Sequence, residues 1–163
     1  MPRVCSSAVS TGADGPRMRI SAKGEYAIKA MLDLAMHRGR ALVPIQEIAA
    51  RQTIPQRYLE QVLLALKRAG LLTSKRGSTG GYHLSKSADE VTVGAVLRAV
   101  EGGGAPFESG PYGRRNGGHE DDLGELWEEI AEAVAGVVDR WTLGDLVART
   151  EERRGAGRTM YHI

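Results

Sequence analysis

Residues 45–84, IQEIAARQTIPQRYLEQVLLALKRAGLLTSKRGSTGGYHL, carry the pattern that decides the fold. After Pro44, the apolar residues Ile45, Ile48 and Ala49 recur at helical spacing, and RQTI (51–54) breaks the run. Pro55 suits the first turn of a helix, where a missing N–H costs nothing. Leu59, Val62, Leu63 and Leu66 then mark a second helix, which Gly70 ends. Two short helices around a tight turn outline a helix-turn-helix. Next, Leu72, Ser74 and Arg76 alternate with polar neighbours, Gly77, Gly80 and Gly81 turn the chain, and Tyr82 and Leu84 lead back as a β-hairpin. Its tip, with Lys75, Arg76, Gly77, Ser78 and Thr79, offers donors to phosphate. Solvated basic residues on an ordinary hairpin are the plainer reading. A basic tip directly behind a basic helix favours a winged helix.

Outward from this centre the pattern stays helical. Upstream, Ser21 can cap a helix through Tyr26, Ala27, Ala30, Met31, Leu34 and Ala35 that stops near Gly39. Residues 1–17 are rich in Ser, Gly and Pro without periodicity, so they read as a disordered leader or as sequence preceding a start at Met18. Downstream, Thr92 opens a helix through Val96, Leu97 and Val100. Residues 102–120 follow as a Gly-rich loop without periodicity. From Asp121 to Trp141, the residues Leu123, Trp127, Ile130, Val134, Val137 and Trp141 alternate spacings of four and three, a heptad-type stripe. Such a stripe either covers the chain's own core or pairs with a second copy. Thr142 and Asp145 form a capping box for a short last helix through Leu146 and Val147. The expected organisation is a domain at 18–101, a loop at 102–120, a dimerisation helix with its short successor at 121–149, and a tail at 150–163. The fold class is mainly α, a winged helix-turn-helix with a small hairpin wing and a long C-terminal helix.

Charge supports a division of labour. Residues 17–86 hold thirteen Lys/Arg against four Asp/Glu, whereas residues 87–163 hold eight against fifteen. A basic half joined to an acidic half suits a polyanion-binding module carrying something that does not touch the polyanion. No apolar run reaches the roughly 18 residues of a membrane span, and no secretory signal opens the chain, so a cytoplasmic setting is expected. The single Cys5 excludes an internal disulfide framework and any site built from several thiolates. No nucleophile triad, metal-ligand cluster or phosphate loop is present, and an enzyme is not expected.

Four stretches, RISAKGEYAIKAMLDLA, IQEIAARQTIPQRYLEQVLLALKRAGLL, SKRGSTGGYHLS and VTVGAVLRAVEG, resemble in order and spacing the Rrf2 family of bacterial winged-helix regulators. The similarity runs from Met18 to Gly102 and resumes from Leu126 to Leu146. It implies a homodimer on a palindromic operator in double-stranded DNA, twinned by the long C-terminal helix through Leu123, Trp127, Ile130, Val134, Val137 and Trp141. The third helix would present Pro55, Gln56, Arg57, Tyr58 and Gln61 to the major groove, where Gln reads adenine and Arg reads guanine or grips phosphate. Ser21 and Lys23 at the first helix would hold backbone phosphates, and the wing would reach the neighbouring groove.

Several relatives bind a [2Fe–2S] cluster through three cysteines in the loop after the fourth helix. Here that loop has none. Glu108, His119, Glu120, Asp121 and Asp122 offer oxygen ligands and one imidazole, which suit a weakly held hard cation but not a cluster. No cofactor is therefore expected, and a metal or redox signal through 105–122 stands as the alternative mode of sensing. The chain is similar to the cysteine-free branch of the family, the cysteine metabolism repressors, which work with cysteine synthase. In that light Met160, Tyr161, His162 and Ile163 read as a partner-binding tail on a flexible, Gly-containing lead. The other reading is an apolar lid folded back on the dimer.

Overall fold

In the computed structural model, residues 20–101 and 124–159 are described. The expected leader at 1–17, the loop at 102–120, Leu123 and the tail residues Met160, Tyr161, His162 and Ile163 lie outside them.

Local signals place the first elements. The Gly24 N–H donates to Ser21 Oγ at 3.0 Å, capping α1 (Ala22–Met36). Pro44 precedes α2 (Ile45–Gln52), which ends at Thr53 with φ 54° and ψ 47°. Ile54 is buried in the turn, and Pro55 precedes α3 (Gln56–Arg68). Gly70, at φ 77°, supplies the left-handed residue just beyond α3, where any side chain would be strained.

The wing is the antiparallel pair β1 (Leu72–Lys75) and β2 (Gly81–Leu84), with Leu72 opposite Leu84 and Lys75 opposite Gly81. Gly81 therefore does not turn the chain, as its sequence context suggested, but is the first residue of the returning strand. Its glycine is needed for close approach: a Cβ there would sit 2.6 Å from the Val43 carbonyl. Val43 and Tyr82 exchange both backbone hydrogen bonds at 2.9 Å, which fastens the wing to the residue that leads through Pro44 into α2. The wing and the helix-turn-helix thus share one backbone clamp.

A 3-10 turn (Ala88–Glu90) leads to α4 (Val93–Glu101), followed by α5 (Gly124–Arg140) and α6 (Leu143–Thr159). Thr92 and Thr142 cap α4 and α6 through their hydroxyls, and the reciprocal Thr142–Asp145 bonds complete the capping box read in the sequence. The two caps lie side by side, because Val93 N–H donates to Trp141 and Leu143 N–H to Val91. Met31, Ile48, Leu59, Leu63, Leu66, Leu97 and Leu143 are fully enclosed, so α1, α2, α3, α4 and α6 build one core. Here the structure departs from the expected boundary. The start of α6 belongs to the winged-helix core, because Leu143 and Val147, four apart on one face, are buried against it.

A second departure lies at the far end. The tail assigned to 150–163 is helical through Thr159, and Gly155 and Gly157 lie inside α6 instead of forming a flexible lead. The cause is propagation. Once Leu143 and Val147 anchor the first turns, each added residue gains one hydrogen bond, and Ala148, Arg149, Glu151, Glu152, Arg153 and Arg154 are good helix formers. Two glycines at about 1 kcal/mol each do not stop it.

Candidate nucleic-acid interface

Helix α3 divides cleanly. Leu59, Val62, Leu63 and Leu66 face the core, while Gln56, Arg57, Tyr58, Glu60, Gln61, Leu64, Lys67 and Arg68 are exposed. No side chain caps its first turn, so the positive end of the helix dipole and Pro55 stand open to solvent. The wing tip follows the same logic: Lys75, Arg76, Gly77, Ser78 and Thr79 are all exposed, and Gly77 has φ 116°.

Pairing sharpens the electrostatics. Of the four acidic residues between 20 and 86, Glu25 pairs with Lys29, Asp33 with Arg51, and Glu47 with Arg40 and Arg51. That leaves Glu60, which lies 3.4 Å from the Gln56 amide on α3 itself. Among the described residues Arg57, Lys67, Arg68, Lys75 and Arg76 form no ion pair, so their charge is directed outward.

The helix-turn-helix rests on a buried polar joint that the sequence reading missed. Asp33 is 2% exposed in the middle of α1. Arg51 of α2 donates to its two oxygens at 2.9 and 2.7 Å, and Gln52 donates at 3.0 Å. His37 donates to the Asp33 carbonyl at 2.7 Å. Arg51 continues to Glu47 at 2.9 Å, and Glu47 also receives Arg40. Hydrogen bonds from Arg40, then from Arg51, hold the Glu47 carboxyl down at about 2, and the Asp33 carboxylate raises the Arg51 guanidinium above its usual value. The arrangement locks α2, and with it the turn into α3, onto α1.

The proposed phosphate contact at the start of α1 is altered by what surrounds it. The Ser21 hydroxyl accepts from Gly24 and donates to the Glu101 carboxylate at the end of α4. With both roles taken and a carboxylate beside it, Ser21 is a poor phosphate donor, which leaves exposed Lys23 at this end.

The stripe on α5 is split. Ile130 and Val137 are 37% and 47% exposed, and Leu126, four residues before Ile130, is equally open at 46%. Val134 is half-buried. Trp141 turns instead toward α6, where the Arg149 guanidinium lies 4.3 Å from its ring centre. The side chain of Trp127 is outside the described residues. A bidentate pair between Arg98 and Asp139 at 2.6 and 2.8 Å ties α5 to α4. Leu126, Ile130, Ala133 and Val137 therefore form an apolar row on the outer side of α5.

Glu60, Leu64, Lys67 and Arg68 were absent from the sequence-derived set. Counting three, four and seven residues from Arg57 reaches Glu60, Gln61 and Leu64, a helical face that periodicity alone could have named. Among the described residues no three His, Cys, Asp or Glu side chains gather as metal ligands, and no helix is long and apolar enough to cross a membrane.

Known proteins are similar to this chain in sequence and fold. Residues 20–149 match the Rrf2 family model, described as an iron-dependent transcriptional regulator. The chain is 42% identical over 131 residues to the transcriptional regulator IscR of Serratia proteamaculans, covering 80% of this chain and 79% of the relative. It is 37% identical over 145 residues to IscR of Klebsiella pneumoniae, covering 89% of each. Among solved structures, it is similar to T. potens IscR, with a TM-score of 0.70 and 33% identity over 83% of this chain and 90% of that one. It is also similar to CymR, the global cysteine regulator of B. subtilis, with a TM-score of 0.67 and 32% identity over 82% of this chain and 98% of that one. The iron named in the family description is not matched by a thiolate donor set here. The one cysteine, Cys5, cannot supply the three thiolates of a cluster.

Proposed function

Because this chain belongs to the Rrf2 family of winged-helix transcriptional regulators, we propose that it acts as a homodimer on a palindromic operator and represses genes of cysteine and sulfur metabolism. The outward face of α3 beside the unpaired basic wing is the observation that carries the reading. Arg57 and Gln61 read base edges in the major groove. Lys23, Lys67, Arg68, Lys75 and Arg76 hold phosphates, with Ser78 and Thr79 donating from the wing. The apolar row of Leu126, Ile130 and Val137, with Val134, forms the dimer seam, and two copies read two half-sites.

One observation supports the cysteine branch over cluster sensing, the missing thiolates; the likeness to CymR is consistent with it, while that to IscR is equally strong. Cysteine synthase is the proposed partner, engaged through Met160, Tyr161, His162 and Ile163, which α6 carries as a helical stalk. A second reading, favoured by the iron named in the family description, has residues 105–122 sensing a metal or oxidant through Glu108, His119, Glu120, Asp121 and Asp122.

Selection of bound fragments from genomic DNA, with and without purified cysteine synthase, tests the assignment. A palindrome upstream of sulfur-assimilation genes, with occupancy altered by the synthase, is expected. Sites beside iron or redox genes, with binding that responds to added metal or peroxide, would replace it by the second reading. For the seam, the Ile130→Glu/Val137→Glu double variant should sediment as a monomer and lose operator affinity; an unchanged dimer refutes the assignment.

A further inference from the structure

Leu64 is a large apolar side chain set among charged and polar neighbours on the outer face of α3, and it is 46% exposed. Its companions Leu59, Val62, Leu63 and Leu66 are all buried, so the core does not need it. Gln61 precedes it by three residues and Arg68 follows by four, placing Arg57, Gln61, Leu64 and Arg68 along one side of the helix. The set Arg57, Glu60, Gln61 and Leu64 also has the spacing 0, 3, 4, 7 with which a homeodomain's recognition helix places four side chains on base edges. Leu64 has no hydrogen-bonding group. On a major-groove edge an apolar side chain is matched by the 5-methyl group of thymine, the one apolar feature there.

We infer that Leu64 is a specificity-determining residue that reads a thymine methyl in each operator half-site. The inference rests on the reading that α3 enters the major groove. Removing the methyl from the contacted base forfeits the burial of about one carbon, which is a roughly fourfold loss of affinity per half-site. Being half exposed, Leu64 can be shortened without opening the core, and alanine is the better helix former.

The full-length protein is tested on its selected operator, with each thymine replaced in turn by deoxyuridine, which keeps every hydrogen bond and loses only the methyl. Wild type should show one symmetric position per half-site where uracil weakens binding about fourfold. Leu64→Ala should bind the thymine operator as weakly as wild type binds the uracil one, with thymine and uracil now equivalent there. Leu64→Met, apolar and of similar reach, should retain the preference. Equal binding of thymine and uracil by wild type at every position overturns the inference, as does an undiminished preference in Leu64→Ala. If wild type binds no duplex at all, the major-groove reading itself fails, and this outcome is distinct from both.

Discussion

Replacing Asp33 by Asn removes the charge from the buried joint while keeping its shape. Wild-type Asp33 receives two hydrogen bonds from Arg51 and one from Gln52. Removing one member of a fully buried ion pair costs about 3–5 kcal/mol. The Arg51 side chain is 31% exposed, so water recovers part of its solvation, and Asn retains one acceptor oxygen. The expected loss is therefore about 2 kcal/mol, or a fall in Tm of roughly 6–10 °C for a domain of this size. Arg51→Met should cost more, near 3 kcal/mol, because it strands a carboxylate that has almost no access to water. The double variant should cost less than the sum of the two, with a coupling of at least about 1 kcal/mol. Thermal and urea unfolding at one fixed protein concentration measure all four corners, since self-association would otherwise shift the midpoint. Operator affinity well below the melting point should stay unchanged, because no exposed residue of α3 is altered. A coupling below about 0.3 kcal/mol, within the scatter of independent sites, would refute the view that this pair holds α2 on α1.

Arg76→Ala at the wing tip should weaken operator binding and flatten the dependence of log K on log salt by nearly one unit for each phosphate that the side chain neutralises; titrations at several salt concentrations check it, and an unchanged slope excludes the role. Thr53→Gly should stabilise the protein by about 1 kcal/mol in urea unfolding, since a β-branched residue is held at φ 54° where glycine is unstrained. Glu47 ionises near 2 in the fold and near 4.5 as a free side chain. Its stabilisation is fully present above about pH 4.5 and is lost as pH falls through about 2. Glu47→Gln should therefore show a shallower decline in stability between those limits than wild type, and an identical acid limb would contradict the pairing.

The winged-helix outline was legible because each of its devices is local. Pro55 opening α3, Gly70 closing it, the Ser21 and Thr142 caps and the alternation of the hairpin all act within a few residues. The basic wing tip and Arg57 and Gln61 on α3 were legible for the same reason, since charge and helical spacing are written in the chain. The run VLLALK at 62–67 was not, because four leucine or valine residues occupy more of the helix circumference than one core-facing stripe requires. Only tertiary packing showed that Leu64 is the one left outside.

Other features were set by contacts between distant segments. Asp33 reads as an ordinary helix-surface acid until Arg51 and Gln52, eighteen and nineteen positions away, close over it. Gly81 reads as a turn residue until Val43 pairs with Tyr82. Trp141 reads as part of the α5 stripe until Arg149 covers it, and Leu143 reads as part of an appendage until it reaches the core. By itself, then, the amino-acid order determined the helix and hairpin succession, the caps and the positive wing, because those depend on short-range backbone and periodicity effects. Tertiary structure decided which apolar side chains stay uncovered, which charges are neutralised and where the wing is clamped, because burial and ion pairing depend on the partner that folding brings alongside.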